Sequence, residues 1–414
     1  MKKFLLNPAL LAVIVSLLVI ACDAPPSDEQ LQSSLQKDVT YLAADDLGGR
    51  AIGTEGEQKA AEYLAKQFES LGLQAKGTEG FFQPFTVSKP TNPHEEAVIG
   101  TEGEGVTGRN VVGFLDKQSD KTIVIGAHFD HLGMGGQGSL HRGDSAIHNG
   151  ADDNASGTAA LLALATILKH EKLQSNVLFI AFSGEENGLW GSNYFVKNPT
   201  IDLSTVNYMI NMDMVGRLKE DNSLAINGVG TSPSFAPVFD QINSDSLKLV
   251  TSESGVGPSD HTSFYLQDLP VLHFFTGQHE DYHKPSDDSD KINYKGLVKV
   301  VRYISRLVTA LDAEPKLAFT KTKDSSDSPR FTVSMGVVPD YMFDGKGMRV
   351  DGVSEGKPAQ AAGILKGDVV VQLGDSTVYD MMSYMRALSV FQKGDSTQVV
   401  IDRNGQKVEA VVKF

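Results

Sequence analysis

Residues 122–130 read TIVIGAHFD, and residues 150–186 read GADDNASGTAALLALATILKHEKLQSNVLFIAFSGEE. Thr122 to Ala127 is a short apolar run rich in β-branched side chains, the pattern of a strand buried on both faces. Ser156 to Leu168 is longer and rich in Ala and Leu, which reads as a helix, and Asn176 to Phe182 returns to the strand pattern. The alternation continues downstream. Val206 to Asn211 and Pro270 to Phe275 read as strands, and Leu297 to Leu311, with Val298, Val301, Ile304 and Leu307 at helical spacing, reads as a closing amphipathic helix. Upstream, Leu31, Leu35, Val39 and Leu42 recur at helical spacing, as do Ala60, Ala61, Tyr63, Leu64, Phe68 and Leu71, and Gly72 stands where that second helix should stop. Strands alternating with helices imply an α/β fold, a mixed and largely parallel sheet sandwiched by helices.

Polar residues interrupt this apolar pattern at five places: Ala127-His128-Phe129-Asp130, Ala151-Asp152-Asp153-Asn154, Gly184-Glu185-Glu186-Asn187, Asn211-Met212-Asp213-Met214 and Tyr282-His283-Lys284-Pro285. Each is weak alone, because HxD or EE arises by chance in many chains. Most, however, fall at or just after a strand end. In open α/β sheets the carboxyl ends of neighbouring strands converge on one crevice, so residues distant in sequence meet there. In chain order the segments supply His, Asp, Glu, Asp and His. Zinc accepts imidazole nitrogen and carboxylate oxygen, and a catalytic zinc keeps one position open. Five protein ligands are too many for one such ion and enough for two if one carboxylate bridges, an arrangement that can activate a water and polarise a carbonyl together.

The chain has 414 residues, more than one ordinary hydrophobic core, so two folded units and a leader are expected. Lys2 and Lys3 precede an apolar run from Phe4 to Ala21 that ends in Val19-Ile20-Ala21-Cys22, a small-residue cleavage pattern. Residues 1–21 therefore resemble a bacterial lipoprotein signal peptide, with Cys22 as the lipidated first residue and 22–29 as a tether. Asn7-Pro8 inside the run and its marginal length speak against an uncleaved membrane anchor. On this reading the body lies outside the cytoplasm, in the cell envelope, held to a membrane by lipid and facing the periplasm or the cell surface. Cys22 is the only cysteine, so the body has no internal disulfide and no thiolate ligand or nucleophile. Any metal must sit on His and carboxylates. A net charge of -15 excludes nucleic acid as an expected partner.

After a first unit at 30–314, residues 315–329 turn polar and Ser/Asp/Lys-rich and read as a linker. Residues 330–414 carry Pro358-Ala359-Gln360-Ala361-Ala362-Gly363-Ile364-Leu365-Lys366-Gly367-Asp368, then alternating Val399 and Ile401 and an Asn404-Gly405 turn before Val408, Val411 and Val412. This small β-rich unit resembles a bacterial PDZ domain. The resemblance implies a groove for an extended peptide or a protein partner, with Ser334-Met335-Gly336-Val337 as the carboxylate loop and a helix from about Tyr379 to Val390 as the opposite wall. Ser334 stands where the usual pattern has its first glycine. Gly352-Val353-Ser354-Glu355-Gly356 matches a nucleophile-elbow pattern but lies in this unit, outside any strand-turn-helix, and reads as a loop.

Across residues 30–314, AHFD, GADDNASG, SGEENGLWGS, NMDMVG and the late YHKP segment are similar to the motifs of the M28 metallopeptidase family of bacterial aminopeptidase type. The resemblance implies a zinc-dependent exopeptidase with two zinc ions per chain. Transferred position by position, Asp152 bridges the ions, Glu186 and His283 complete one shell, and His128 and Asp213 the other. Glu185 is then the general base, taking a proton from water and delivering it to the leaving amine. Asp130 is expected to accept the other ring N–H of His128, with Asp153 a weaker candidate for a similar role. Asp260 and His261 match a pocket-lining family segment and are expected to orient the site. His131, His141 and His148 lack family counterparts as ligands and read as exposed loop residues. Trp190 and Phe264 are candidates for a side-chain pocket. The implied activity is removal of N-terminal residues from peptide substrates. Glutaminyl cyclase, dipeptidase or carboxypeptidase chemistry, and a non-catalytic peptide-binding role remain open, although retention of five ligands and Glu185 weighs towards two-metal hydrolysis.

Overall fold

The run at 122–128 forms a strand near the middle of a ten-stranded mixed sheet. The computed structural model describes residues 25–88, 98–100, 105–136, 138–322, 333–340, 343, 345–354, 356–379 and 381–414; the signal-like segment and Cys22 lie outside them. The first sheet comprises β1 (Gln74–Ala75), β2 (Phe82–Ser88), β3 (Val98–Gly100), β4 (Val106–Leu115), β5 (Thr122–His128), β6 (Asn176–Phe182), β7 (Val206–Met212), β8 (Ser223–Asn227), β9 (Lys248–Ser252) and β10 (Val271–Phe275). Its order is β3-β2-β4-β6-β5-β7-β10-β8-β9, with β1 on β4. Strands β6, β5, β7 and β10 pair in parallel, and antiparallel strands extend the sheet on both sides.

Every residue of β5, β6 and β7 is buried because both faces of the sheet are covered. Side chains alternate between two cores, as the two-residue period of a strand requires. Ile123, Ile125, Phe179, Ala181, Tyr208 and Ile210 face one core, packed by α1 (Asp28–Leu42), α2 (Glu55–Ser70), α3 (Gly157–Leu168) and, later in the chain, the long helix at Tyr294–Asp312. Val124, Leu178, Ile180, Phe182 and Met209 face the other, with Phe195 of α4 (Trp190–Lys197) and Phe264 of the short helix His261–Tyr265.

Local sequence explains the helix ends. Ser27 caps α1 reciprocally with Gln30: the Gln30 N–H donates to Ser27 Oγ (3.3 Å) and the Ser27 N–H to Gln30 Oε1 (2.8 Å). Thr54 caps α2, and Gly72 just past its end has a φ of 79°, the left-handed turn in which glycine carries no Cβ penalty. The buried stripe Leu31, Leu35, Val39 and Leu42 locks α1 to the core, where truncating one such leucine to alanine costs about 2–5 kcal/mol.

The second unit has its own core, built around Met335, Val350, Val370, Leu373, Val399, Ile401 and Val412. Its strands are β11 (Val337–Pro339), β12 (Met348–Val353), β13 (Val369–Leu373), β14 (Ser376–Thr377), β15 (Ser396–Arg403) and β16 (Gln406–Lys413), and β15 and β16 pair around the expected Asn404-Gly405 turn. With α5 (Ala236–Ile242), α6 (His261–Tyr265) and α7 (Tyr294–Asp312) completing the first unit, this one adds α8 (Pro358–Ala361) and α9 (Met381–Ser389). Ser354, in the nucleophile-elbow match, donates its backbone N–H to Gly336 O (2.7 Å) just beyond β12. Residues 315–322, the first half of the expected linker, are tied to the first unit at Leu317, which joins its core and whose N–H donates to Asn207 Oδ1 (2.7 Å). Among the described residues no helix is long and apolar enough to cross a membrane.

Candidate metal centre

Parallel pairing brings three of the polar segments to one edge. His128, last residue of β5, lies in register with Phe182, last residue of β6, and Gly126 lies opposite Asn211 of β7. His128, the Glu185-Glu186 pair and Asp213 therefore emerge side by side, as strand-end convergence requires. Gly184, at a φ of 76°, turns the chain immediately after β6. A wide turn at Ala151–Ser156 before α3 supplies the acidic pair, and the loop after β10 supplies His283.

Within this cluster Asp153 stands between the two histidines. Its Oδ1 is 3.4 Å from His128 Nε2 and its Oδ2 is 3.1 Å from His283 Nε2. His128 Nε2 is also 3.4 Å from Asp213 Oδ1, and His283 Nε2 is 3.4 Å from Glu186 Oε2. Tetrahedral zinc with bonds of about 2.0–2.1 Å places its ligand atoms about 3.3 Å apart. The side chains thus gather into two sets, His128 with Asp213 and His283 with Glu186, and Asp153 turns one oxygen towards each histidine.

The expected bridging role of Asp152 is corrected by this geometry. Asp152 is fully buried and turned away from the cleft. The Gly216 N–H (2.7 Å) and Ser156 Oγ–H (3.0 Å) donate to its Oδ1, and His279 Nε2 lies 3.1 Å from its Oδ2. With its oxygens occupied by protein donors, Asp152 fastens the turn to the loop after Asp213. Behind it, Asp287 Oδ2 accepts the N–H groups of Asp152 (2.9 Å) and Asp153 (3.1 Å).

Asp130 also differs from expectation. The His128 Nδ1–H donates to the backbone oxygen of Asp130 (3.2 Å), whereas the carboxylate lies 3.6 Å away, too far for a good hydrogen bond. That carboxylate instead accepts the Glu185 N–H (3.1 Å), so Asp130 positions the base through its backbone. Glu185 itself lies 3.9 Å from His128 Nε2 at the cleft wall. Burial first, then the negative charges of Asp213, Asp260 and Glu186, hold its carboxyl well above the usual carboxylate range. Burial alone would lower His283, but Glu186 and Asp153 overcome it and push the imidazole up to about 9.

His131 and His148, expected on an exposed loop, are buried. The His131 Nδ1–H donates to Glu186 Oε1 (2.7 Å) and orients that carboxylate. Arg50 carries no sequence signal read above and is fully buried. Its guanidinium donates to Phe129 O (2.7 Å), Asn149 O (2.6 Å), Gly150 O (3.0 Å) and Leu42 O. One side chain thereby ties the loop after His128 to the turn that presents Asp153. Burial lowers Arg50 to about 10 against the pull of Asp130, Asp153, Asp287 and Glu186, so it remains a cation behind the acids at neutral pH.

A cleft of about 400 Å³ opens in front of His128, Asp153, Glu185, Glu186, Asp213 and His283, with Leu189, Met214, Pro258 and Phe275 as apolar walls. Trp190 and Phe264 do not line it: Phe264 packs in the core against Phe182 and Phe195, and Trp190 against Phe85 and Tyr194. Asp260 and His261 lie behind the wall, fully buried, with His261 stacked on His273 (4.5 Å between centroids). Burial pushes the Asp260 carboxyl up to about 7 and lowers His273 to about 4.

The model of peptidase family M28 matches residues 110–308, and that of the PDZ domain matches residues 318–414. Aminopeptidase YwaD of Bacillus subtilis is 27% identical over 329 residues, covering 68% of this chain and 67% of that protein. A zinc aminopeptidase structure from Bacillus subtilis superposes with a TM-score of 0.51 at 17% identity, over 71% of this chain and 96% of that one. A glutaminyl cyclase structure from Bacteroides thetaiotaomicron gives a TM-score of 0.52 at 19% identity, over 69% and 98%. At such identities these two structures establish the shared fold.

Proposed function

From a chain that carries a peptidase family M28 domain followed by a PDZ domain, we propose a two-zinc aminopeptidase that hydrolyses the first peptide bond of substrates with a free amino terminus. The observation that carries this reading is Asp153 between His128 and His283, with Asp213 and Glu186 flanking and Glu185 3.9 Å from His128 Nε2. His128, Asp213, Asp153, Glu186 and His283 would hold the ions. When bound, zinc supplies Lewis acidity that polarises the scissile carbonyl and acidifies water.

The protein's own groups do the rest. Glu185 takes the proton of the attacking water and returns it to the departing amine. Asp130 fixes the backbone of Glu185, and His131 fixes the carboxylate of Glu186. Leu189, Met214, Pro258 and Phe275 receive an apolar first side chain and exclude water around the bond. A one-metal glutaminyl cyclase would have no use for the second histidine and carboxylate pair. Residues 1–21 act as the leader and Cys22 as the lipid attachment point of an extracytoplasmic enzyme, a reading supported by Val19-Ile20-Ala21-Cys22. Radiolabelled palmitate incorporated into wild type and absent from Cys22→Ser checks the anchor.

The activity is tested with leucyl anilide and its N-acetylated form. Cleavage of the free amine alone, lost on chelation and restored by zinc, is the expected result. Equal cleavage of the acetylated form would remove the aminopeptidase reading, and activity indifferent to chelation would remove the metals.

A further inference from the structure

His283 reaches the cleft from a loop, and its imidazole is engaged at both nitrogens. Nε2 faces Asp153 and Glu186, while the Nδ1–H donates to Gly138 O (2.9 Å). That bond fixes the tautomer and leaves the Nε2 lone pair towards the cleft. A second bond runs the other way: the Leu140 N–H donates to His283 O (2.9 Å). His283 itself has a φ of 54°, a backbone region that a residue other than glycine holds only when its surroundings impose it. Residues 138–140 are therefore the clamp that sets this ring. Their own stretch of sequence gives little stiffness, since Gly133, Gly135, Gly136 and Gly138 stand at positive φ, 61°, 87°, 115° and 91°.

The stiffness comes from His148, whose ring is buried and does not line the cleft. Its Nδ1–H donates to Ala146 O (2.9 Å), which leaves Nε2 to accept the Ser139 Oγ–H (2.7 Å). Ser139 Oγ in turn accepts the His141 N–H (3.1 Å), and the His148 N–H donates to Gly133 O (2.8 Å). The ring also fills the space under the loop: a Cβ at Gly135 would lie 2.7 Å from His148 Cε1. We propose that His148 is a positioning residue of the metal centre, a post that acts through Ser139 to hold the Gly138 carbonyl where it orients His283. The proposal rests on the two-zinc aminopeptidase reading, in which His283 is a ligand. Partners one layer behind a ligand change metal affinity by about 10–100-fold. Because the post serves His283 and neither His128 nor Asp213, one of the two sites feels its loss and the other does not.

The test uses the full-length protein and measures the zinc retained per chain across a graded series of chelator concentrations, beside leucyl anilide hydrolysis. Ser139→Ala removes one half-buried hydroxyl. His148→Phe removes the acceptor and keeps the ring volume, and His148→Gln keeps an acceptor oxygen near the place of Nε2. In Ser139→Ala and His148→Phe the expected result is one zinc held as in the wild type and the other released at an about tenfold lower chelator concentration. His148→Gln should restore most of that difference. Both zincs retained as in the wild type by Ser139→Ala and His148→Phe overturns the positioning role alone. So does an equal weakening of both sites, or a His148→Gln protein no better than His148→Phe, since these mark packing rather than the acceptor. If His148→Phe does not fold, Ser139→Ala decides by the same zinc readout. A wild type that holds no zinc overturns the aminopeptidase reading and the positioning role with it. A wild type that holds both zincs and leaves the anilide intact overturns the aminopeptidase reading alone.

Discussion

Asp152 and Asp153 are adjacent in sequence, both buried, and serve opposite sides of one turn. On the Asp152 side the carboxylate oxygens meet protein donors: Gly216 N–H, Ser156 Oγ–H and His279 for Asp152, and two backbone N–H groups for Asp287. On the Asp153 side the oxygens face histidine nitrogens and an open cleft. In the first arrangement both oxygens of Asp152 are met by protein groups; the second concentrates Asp153, Glu185, Glu186 and Asp213 around two imidazoles, with Arg50 as the cation behind them. The same residue type thus becomes a fastener where protein donors reach it and faces the cleft where they do not.

That contrast is sharpest in paired substitutions. Asp153→Asn removes the oxygen charge shared between the two sites, and the purified protein should retain less than one zinc with activity down by roughly a thousandfold or more. Asp152→Asn keeps an oxygen for Gly216 and should retain both ions, with affinity reduced about tenfold, as for a residue one layer behind a ligand. Metal analysis and calorimetry on the two variants check this, and the opposite pattern would return the bridging role to Asp152.

Arg50 holds the two sides in register, so its loss acts on stability before chemistry. Arg50→Met leaves four carbonyls without their donor and the acids without their buried cation, and should lower unfolding free energy by about 3–5 kcal/mol in urea denaturation. Arg50→Lys, which keeps the charge without the planar fork, should recover part of that loss. A loss below about 1 kcal/mol would show that the loops do not depend on this bracket.

Glu57 provides a smaller test from outside the cluster. It is a buried carboxylate that accepts from Ser183 Oγ–H (2.9 Å) and Arg109 N–H (3.2 Å), and burial, outweighing those hydrogen bonds, pushes it up to about 7. Because the folded protein holds this proton more tightly than the unfolded chain, Glu57 favours the fold most below pH about 4.5 and loses that contribution as pH rises through about 7. Glu57→Gln should therefore be more stable than wild type by about 1–3 kcal/mol at alkaline pH, with the difference vanishing under acid conditions. Thermal melts across pH give the answer; a variant equally or less stable at alkaline pH would contradict it.

Much of the fold is legible in the sequence because its central strands are buried on both faces. Thr122 to Ala127, Asn176 to Phe182 and Val206 to Asn211 have no polar face to confuse their apolar pattern. The antiparallel strands are harder to read: β4 carries Gly108, Arg109 and Asn110, and Asn110 is accommodated by long-range bonds, donating to Gln83 Oε1 (3.0 Å) and Gly191 O (2.9 Å) and accepting the Ser183 N–H (3.2 Å). Within the site, the motif GADDN offers two aspartates, and nothing local distinguishes them. Side-chain direction is set by the wide turn at Ala151–Ser156 and by donors more than sixty residues away, Gly216 and His279. Arg50 is invisible for the same reason, since all four of its acceptors are backbone carbonyls, which have no sequence signature.

Glu185 is proposed to perform the proton transfer, with the metal held by the other five side chains. Zinc content and leucyl anilide hydrolysis of wild type and Glu185→Gln test it most directly. The account predicts about two zincs in both proteins and a fall in kcat of about two to four orders of magnitude in the variant. A fully active Glu185→Gln protein, or one that has lost its zinc, would contradict it.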